Sequence, residues 1–335
     1  MSTRTIPVAQ PSAGPTGPSS RPTRRAGRRW IPVALALTAS LLTGACSAAA
    51  PAGSAGAAGG TDAPSAGSQA AIAELISAHA PAAEEALSAS PTAAAIRKRG
   101  VLRVGGTQTA ALFSLLNPAT GKVEGFDAAM SQLLAKHIIG RPETELVNVT
   151  AQTREALLKN HSVDTVFATY TITPEREKSV AFAGPYYTDG LAIQVRKDQE
   201  GIASLADLAG KTVITQSGST AANEIRKAAP TAQVQLFENN TECLQALRHK
   251  RADAYVLDQG ILAGNALRNP DVKVLPGTYS QQPYGIGLPL DQPDFKQFVN
   301  TWLKQVIADG TWAKVWQATV GTQVPGQVPA PPTVA

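Results

Sequence analysis

Between Val101 and Leu288 the chain alternates two kinds of pattern. Short runs rich in Val, Ile and Leu, such as LRVG, ELVNV and DTVFA, are separated by stretches with apolar positions at helical spacing, such as DAAMSQLLAKHI and REALLKN. A hydrophobic period that switches from two to 3.6 and back predicts strands alternating with helices, hence α/β units around a mainly parallel sheet. The alternation restarts after LAIQVR, where TVIT, AQVQLFE, ADAYVLD and VKVLPG are strand candidates and STAANEIRKAA, TECLQALRHK and ILAGNALRN are helices between them. The last strand pattern, YGIGLPL, precedes a long amphipathic helix, DFKQFVNTWLKQVIADG, and a short one at WAKVWQ; both are expected to pack back onto the first unit.

Two units of similar size fit a body whose length is near the limit at which one core becomes two. The expected lobes are residues 100–190 plus 284–320, and residues 191–283, joined by two hinge strands around Leu191–Arg196 and Tyr284–Leu288. A ligand cleft belongs between them, beyond the carboxyl ends of the strands. Ahead of the body, residues 71–99 form a helical prelude: Ile72, Leu75 and Ile76 share a face, and Ser90, Pro91 and Gly100 bracket a second short helix. Residues 47–70 are almost all Ala, Gly, Ser and Pro with a single charge, Asp62, which predicts a disordered tether, and the Pro-rich tail 321–335 is likewise expected to be disordered.

The N-terminus changes the picture. Arg21, Arg24, Arg25, Arg28 and Arg29 precede an apolar run, Ile31–Leu42, that is short for a membrane span, so residues 1–46 are expected to be a secretory signal. It ends in LLTGAC, which resembles the lipobox of bacterial lipoproteins, although Thr43 is a less common residue at its position. The resemblance makes Cys46 the lipidation site and places the mature chain on the outer face of a bacterial cell membrane. A plain secreted protein, and twin-arginine rather than general export, are the alternatives.

The formal charge of +5 does not imply a nucleic-acid partner. Six of the 30 basic residues and none of the acids lie in residues 1–46, which leaves 24 basic against 25 acidic residues in the mature chain. Cysteine usage is sparse. With Cys46 lipidated, Cys243 has no partner, and its neighbours Leu244 and Leu247 predict a buried, inert thiol. His79, His137, His161 and His249 show no metal spacing, and neither a GxSxG elbow nor a phosphate-cradling loop occurs. The expectation is a protein that is no enzyme and holds no cofactor or metal.

One stretch carries candidate chemistry. In TYTITPER, residues 169–176, Thr169, Thr171 and Thr173 alternate as on a strand face until Pro174 ends any ladder, and Arg176 follows. A guanidinium is the side chain best shaped to grip a carboxylate. This segment, within ATYTITPERxxxVxFAGPYY at 168–187, joins GFD at 125–127, SGST at 217–220, ADAYVLD at 252–258 and DGTW at 309–312. Together they resemble the family 3 extracellular solute-binding proteins of polar amino-acid ABC importers, with the nearest likeness to actinobacterial glutamate-binding lipoproteins, over roughly residues 95–318.

The resemblance implies a type II periplasmic-binding-protein (Venus-flytrap) fold that closes on one free amino acid. It implies that Arg176 clamps the α-carboxylate while the Thr169 carbonyl and Thr171 hydroxyl accept the ammonium, with Thr173 left to cap the helix that Pro174 opens. In the second lobe it assigns the carboxylate to Ser219 and Thr220 and the ammonium to Asp258. Each has a plainer reading: Ser219, Thr220 and Asp258 as helix caps, Arg176 on a solvated face. Arg154 matches an arginine that reaches a ligand's side-chain carboxylate, or is a helix-surface residue, and the first loop lacks the basic residue of some relatives near Thr107, leaving Gln108, Leu112 and Phe113 as pocket walls. Glutamate or aspartate is the expected ligand, with glutamine or asparagine next. The partner is an ABC permease or, alternatively, a membrane sensor protein that reads occupancy. The protein itself is expected to be a monomer.

Overall fold

The computed structural model describes residues 66–324 and 326–335. The signal, Cys46 and most of the tether lie outside the described residues. The prelude is α1 (Ala66–Ala78), α2 (Glu84–Ser88) and α3 (Pro91–Arg99). As the local sequence dictates, the Ser90 hydroxyl accepts from Ala93 N at 3.2 Å, and Gly100 ends α3 at φ 80°. Helix α1 begins inside the stretch read as tether, because the apolar face of Ile72 and Ile76 is buried against the body.

The first lobe then runs β1 (Leu102–Gly106), β2 (Thr109–Ala110), β3 (Ser114–Leu116), β4 (Val123–Glu124), α4 (Phe126–Ile139), β5 (Thr144–Asn148) and α5 (Arg154–Lys159). It continues with β6 (Thr165–Val166), α6 (Pro174–Glu177) and the long β7 (Ala181–Asp189). The second lobe comprises β8 (Leu191–Arg196), β9 (Thr212–Gln216), α7 (Ala221–Ala228), β10 (Gln233–Phe237), α8 (Asn240–Arg248), β11 (Ala254–Asp258), α9 (Gln259–Arg268) and β12 (Val272–Val274). The chain returns through β13 (Gln282–Leu288), α10 (Pro293–Ala308) and α11 (Thr311–Thr319).

Each lobe is built on a five-stranded sheet, in the orders β5-β1-β6-β13-β7 and β10-β9-β11-β8-β12. Within each sheet one strand runs against the rest: β13 pairs antiparallel with β6 and β7, and β8 with β11 and β12. The reason is topological. Strands whose carboxyl ends point at the cleft all run one way, whereas a strand arriving from the other lobe starts at the cleft and runs away from it. Both reversed strands are such arrivals. β8 follows β7 after the single residue Gly190, where an added Cβ would lie 2.6 Å from Thr278 Cβ and 2.8 Å from the Ser280 carbonyl. The two crossings therefore run in contact, and only glycine fits between them.

Helices α10 and α11 pack back on the first lobe, burying Phe295, Val299, Trp302, Leu303, Trp312 and Val315. Trp312 Nε1 donates to the Tyr186 carbonyl at 2.8 Å, tying α11 to β7. The tail was expected to be disordered. It has no helix or strand from residue 326 on, yet Val334 is buried, Ala335 N donates to the Gly184 carbonyl at 3.1 Å and Asn300 Nδ2 to the Ala335 carbonyl at 3.2 Å. Well-spaced valines give this Pro-rich stretch an apolar face that composition alone does not reveal. Among the described residues no helix is long and apolar enough to cross a membrane.

Candidate functional site

The carboxyl ends of β6, β7, β9 and β11 converge between the lobes. After β6 the chain passes through Thr169, whose φ of 44° is uncommon for a branched side chain. Asp127, the acid of GFD at the start of α4, holds that conformation: its Oδ2 accepts from Thr169 N at 2.9 Å and its Oδ1 from the Tyr186 hydroxyl at 2.6 Å. Burial pushes the Asp127 carboxyl up to about 6, against the pull of both hydrogen bonds. The strand character of TYTIT is also real but brief, with Thr171 bridging to Tyr284 of β13 and Ile172 N donating to the Pro283 carbonyl at 2.7 Å. Thr173 then caps α6, its Oγ1 accepting from Arg176 N at 3.3 Å.

Arg176 is buried, and its fork spans the cleft: Nη1 donates to the Thr171 carbonyl at 2.6 Å and Nη2 to the Gly218 carbonyl of the other lobe at 2.8 Å. Arg154 opens α5 and is only 4% exposed, which removes the helix-surface reading. Its guanidinium stacks 3.8 Å from the centre of the Tyr170 ring, Nη1 donates to the Ala168 carbonyl at 2.9 Å, and Nε is buried without a partner. Arg176 lies 5.1 Å from the same ring. Burial first, then the neighbouring Arg176 charge, pulls Arg154 down to about 9, so Arg154 stays a cation at neutral pH. Glu155 offsets part of this doubled charge, its Oε1 lying 4.0 Å from Arg176 Nε, and leaves Arg154 without a carboxylate at contact distance among the described residues.

In the second lobe Asp258 ends β11 at 6% exposure, does not cap α9 with its side chain, and leaves Oδ1 buried without a partner. Burial first, then the charge of Asp189, pushes its carboxyl up to about 7. Thr220 is the first residue flanking α7, but its hydroxyl donates to Gln282 Oε1 at 2.8 Å instead of capping. Ser219 turns its hydroxyl back on its own loop, at 2.7 Å from the Gln216 carbonyl and 3.1 Å from the Thr215 hydroxyl. Phe113 is fully buried, edge-on to Tyr187 and Tyr284 at 5.6 and 5.9 Å. Gln108 sits partly exposed in the loop before β2, where its carbonyl accepts from Leu116 N at 3.1 Å.

Further residues join these that the sequence did not single out. Asp189, at the end of β7, accepts from Gly190 N and Gly260 N at 2.8 and 3.0 Å and from the Tyr284 hydroxyl at 3.0 Å. Asn240 donates across the lobes to the Thr109 carbonyl at 2.8 Å and shares a buried network with Asn265, Tyr255 and Gln194. The acid immediately before a glycine in TDG, at a strand end, was the available signal for Asp189. Nothing local marks Asn240.

Away from the cleft, a cavity of about 790 Å³ lies between the prelude and α10, lined by alanines with His79, His137, Phe298 and Trp302. The fold brings His79 and His137 together, ring centres 5.3 Å apart, although they are 58 residues apart in the chain. Burial holds His137 down at about 4 and lowers His79 as well. That cavity has no buried pair of opposite charges, whereas the cleft presents Arg154 and Arg176 opposite Asp258. An α-amino acid needs both signs.

The family model of bacterial extracellular solute-binding proteins, family 3, matches residues 102–321. The chain belongs to this family. Among its relatives, a glutamine-binding protein of Geobacillus stearothermophilus is 44% identical over 209 residues, 62% of this chain and 79% of the relative. The glutamate-binding protein GluB of Corynebacterium efficiens is 31% identical over 219 residues, 62% of this chain and 74% of the relative. A solved structure of an ancestral arginine-binding protein bound to glutamine superposes with a TM-score of 0.63 at 34% identity, over 67% of this chain and 99% of that one. The fold is thus the two-lobe α/β architecture of amino-acid-binding proteins, and the relatives named are binding proteins.

Proposed function

We propose that this protein captures one free polar amino acid between its lobes, without chemical turnover, and presents it to an ABC importer. The observation that carries the reading is the pair of unsatisfied buried groups of opposite sign, Arg154 Nε at the start of α5 in the first lobe and Asp258 Oδ1 at the end of β11 in the second. Arg176 clamps the α-carboxylate, with Thr220 beside it, and Asp258 receives the ammonium together with the Thr169 carbonyl and the Thr171 hydroxyl. The Ser219 hydroxyl, engaged within its own turn, shapes that loop. Arg154 is the surplus cation, and it favours glutamate, whose side-chain carboxylate would neutralise it. Glutamine is the second reading, favoured by the glutamine-binding relative at 44% identity. Export, lipidation at Cys46 and a monomeric body tethered to the outer face of the membrane complete the proposal.

The test is a panel of free amino acids against the soluble body, residues 66–335, followed by thermal melting and then by calorimetry. A ligand at 100 times its Kd adds about 2.7 kcal/mol of stability, an easily seen shift. Arg154→Ala is expected to weaken glutamate by at least tenfold more than glutamine. Equal losses for both would assign Arg154 to the architecture of the lobe, and no shift with any amino acid would overturn the proposal.

A further inference from the structure

The hinge carries a second carboxylate that the ligand-binding scheme does not use. Asp189 ends the first crossing strand and Asp258 ends β11, two strands whose carboxyl ends meet because Asp258 pairs with Leu191, just past the crossing. Between the two carboxyl groups stands one hydroxyl, that of Tyr284 on β13, which donates to Asp189 Oδ2 at 3.0 Å and also faces Asp258. A phenol has one hydrogen to donate. Asp189 already takes the amides of Gly190 and Gly260, whereas Asp258 Oδ1 has no partner in a site sheltered from water. Two carboxylates in one low-dielectric site do not both ionise unless a cation joins them.

The groups facing the pair do not supply that cation at contact distance. Asp258 is faced by Arg154 from α5, by Arg176 from α6, by Tyr284 from β13 and by Tyr255 of its own strand, while Asp189 is faced by Tyr284 and Tyr187. Arg154 holds the Ala168 carbonyl and the Tyr170 ring and Arg176 holds the Thr171 and Gly218 carbonyls, so neither forms an ion pair with Asp258, although Arg154 Nε is left without a partner. The three tyrosines are all held un-ionised by burial.

We propose that Asp189 and Asp258 hold one shared proton until the ammonium group of the amino acid arrives and displaces it to solvent. The inference rests on the amino-acid reading and deepens it. The step balances: a carboxylic acid loses its proton to buffer, and the carboxylate so formed pairs with an ammonium that keeps all of its own hydrogens. Asp189 is thus a positioning residue that makes ligand capture depend on pH. Burial pushes both carboxyls up, and the Asp189 charge adds to the displacement of Asp258, which agrees with this; with Asp258 at about 7 the exchange falls in the neutral range.

The experiment is calorimetry of the soluble body with L-glutamine and with L-glutamate, at pH 6.5 and 8.5, in phosphate and in Tris, whose ionisation heats differ widely. About three-quarters of a proton should be released at pH 6.5 and almost none at pH 8.5, and Kd should weaken about tenfold from pH 8 to pH 6. Asp189→Asn, which keeps an acceptor for Gly260 N and removes the like charge but not the burial of Asp258, should bind with a smaller buffer dependence of the heat at pH 6.5 and a shallower pH profile, and an unchanged profile would overturn the proposal. Asp127 also titrates near 6, but its partners are Thr169 and Tyr186, so the substitution leaves it in place. Binding with equal heats in both buffers for the unsubstituted protein would overturn the shared proton while leaving amino-acid capture intact. Binding of neither amino acid would remove the capture reading and the displacement step with it. Should Asp189→Asn not fold, carboxyl carbon NMR of the unsubstituted protein decides: a coupled pair of carboxyls, one ionised well below the other, supports the proposal, and two carboxyls both ionised at pH 5 overturn it.

Discussion

Gly260 offers a perturbation whose effects on affinity and on stability should have opposite signs. It is the second residue of α9 in the second lobe, and a Cβ built on it would lie 2.7 and 2.9 Å from ring atoms of Phe113 in the first lobe and 3.0 Å from Asp189 Oδ2. Separations under 3 Å force something to move, and Phe113 has little room: it is fully buried and braced edge-on by Tyr187 and Tyr284. Overpacking of this kind costs about 1–3 kcal/mol. Because the clash joins the two lobes, that cost falls on the closed form, and Gly260→Ala should weaken ligand affinity about 5- to 150-fold. If opening parts Gly260 from Phe113, alanine in place of a helical glycine gains up to about 1 kcal/mol in the opened form. The ligand-free variant should therefore melt as high as its parent or about 1–3 °C higher. Calorimetry for Kd and scanning calorimetry without ligand read the two effects separately. Unchanged affinity would refute the closure argument. A lowered melting temperature without ligand would show that the contact belongs to the fold rather than to closure.

Two further outcomes follow from the same geometry. Arg176→Ala removes both the proposed α-carboxylate clamp and the bond to the Gly218 carbonyl across the cleft; loss of one member of a desolvated charge pair costs ~2–5 kcal/mol, so Kd should rise at least about 30-fold, and near-normal affinity by calorimetry would remove Arg176 from the site. His137 lies far from the cleft under the prelude, with its folded pKa held at about 4, below the usual 6.5. For a base lowered in this way, stability is full above 6.5 and declines as pH falls toward 4, by about 3 kcal/mol in all. Urea melts at pH 7 and 4.5 should show that loss, and His137→Gln should lack most of it; equal pH dependence in both proteins would refute the assignment.

The sequence by itself determined the elements and where the arginine proposed as the clamp stands. Hydrophobic period sufficed for the α/β alternation and its restart, and local stereochemistry sufficed for the Ser90 and Thr173 caps, since both act over three or four residues. TYTITPER could be read as a carboxylate grip because proline and arginine act where they stand. Only the tertiary structure decided which groups lack partners, and that is what makes a binding site. Ser219 and Thr220 look alike in SGST, yet one hydroxyl turns back on its own loop and the other reaches Gln282, 62 residues away. Arg154 became a cleft residue through its stacking on Tyr170, and His79 met His137 through the packing of the prelude on α4. Asp189 and Asp258 lie 69 residues apart in the chain, and nothing local announces that β7 and β11 end at the same point. The physical reason is range: caps, turns and periodicity are set by near neighbours, whereas desolvation and repulsion between charges depend on strands that meet only when both sheets are built.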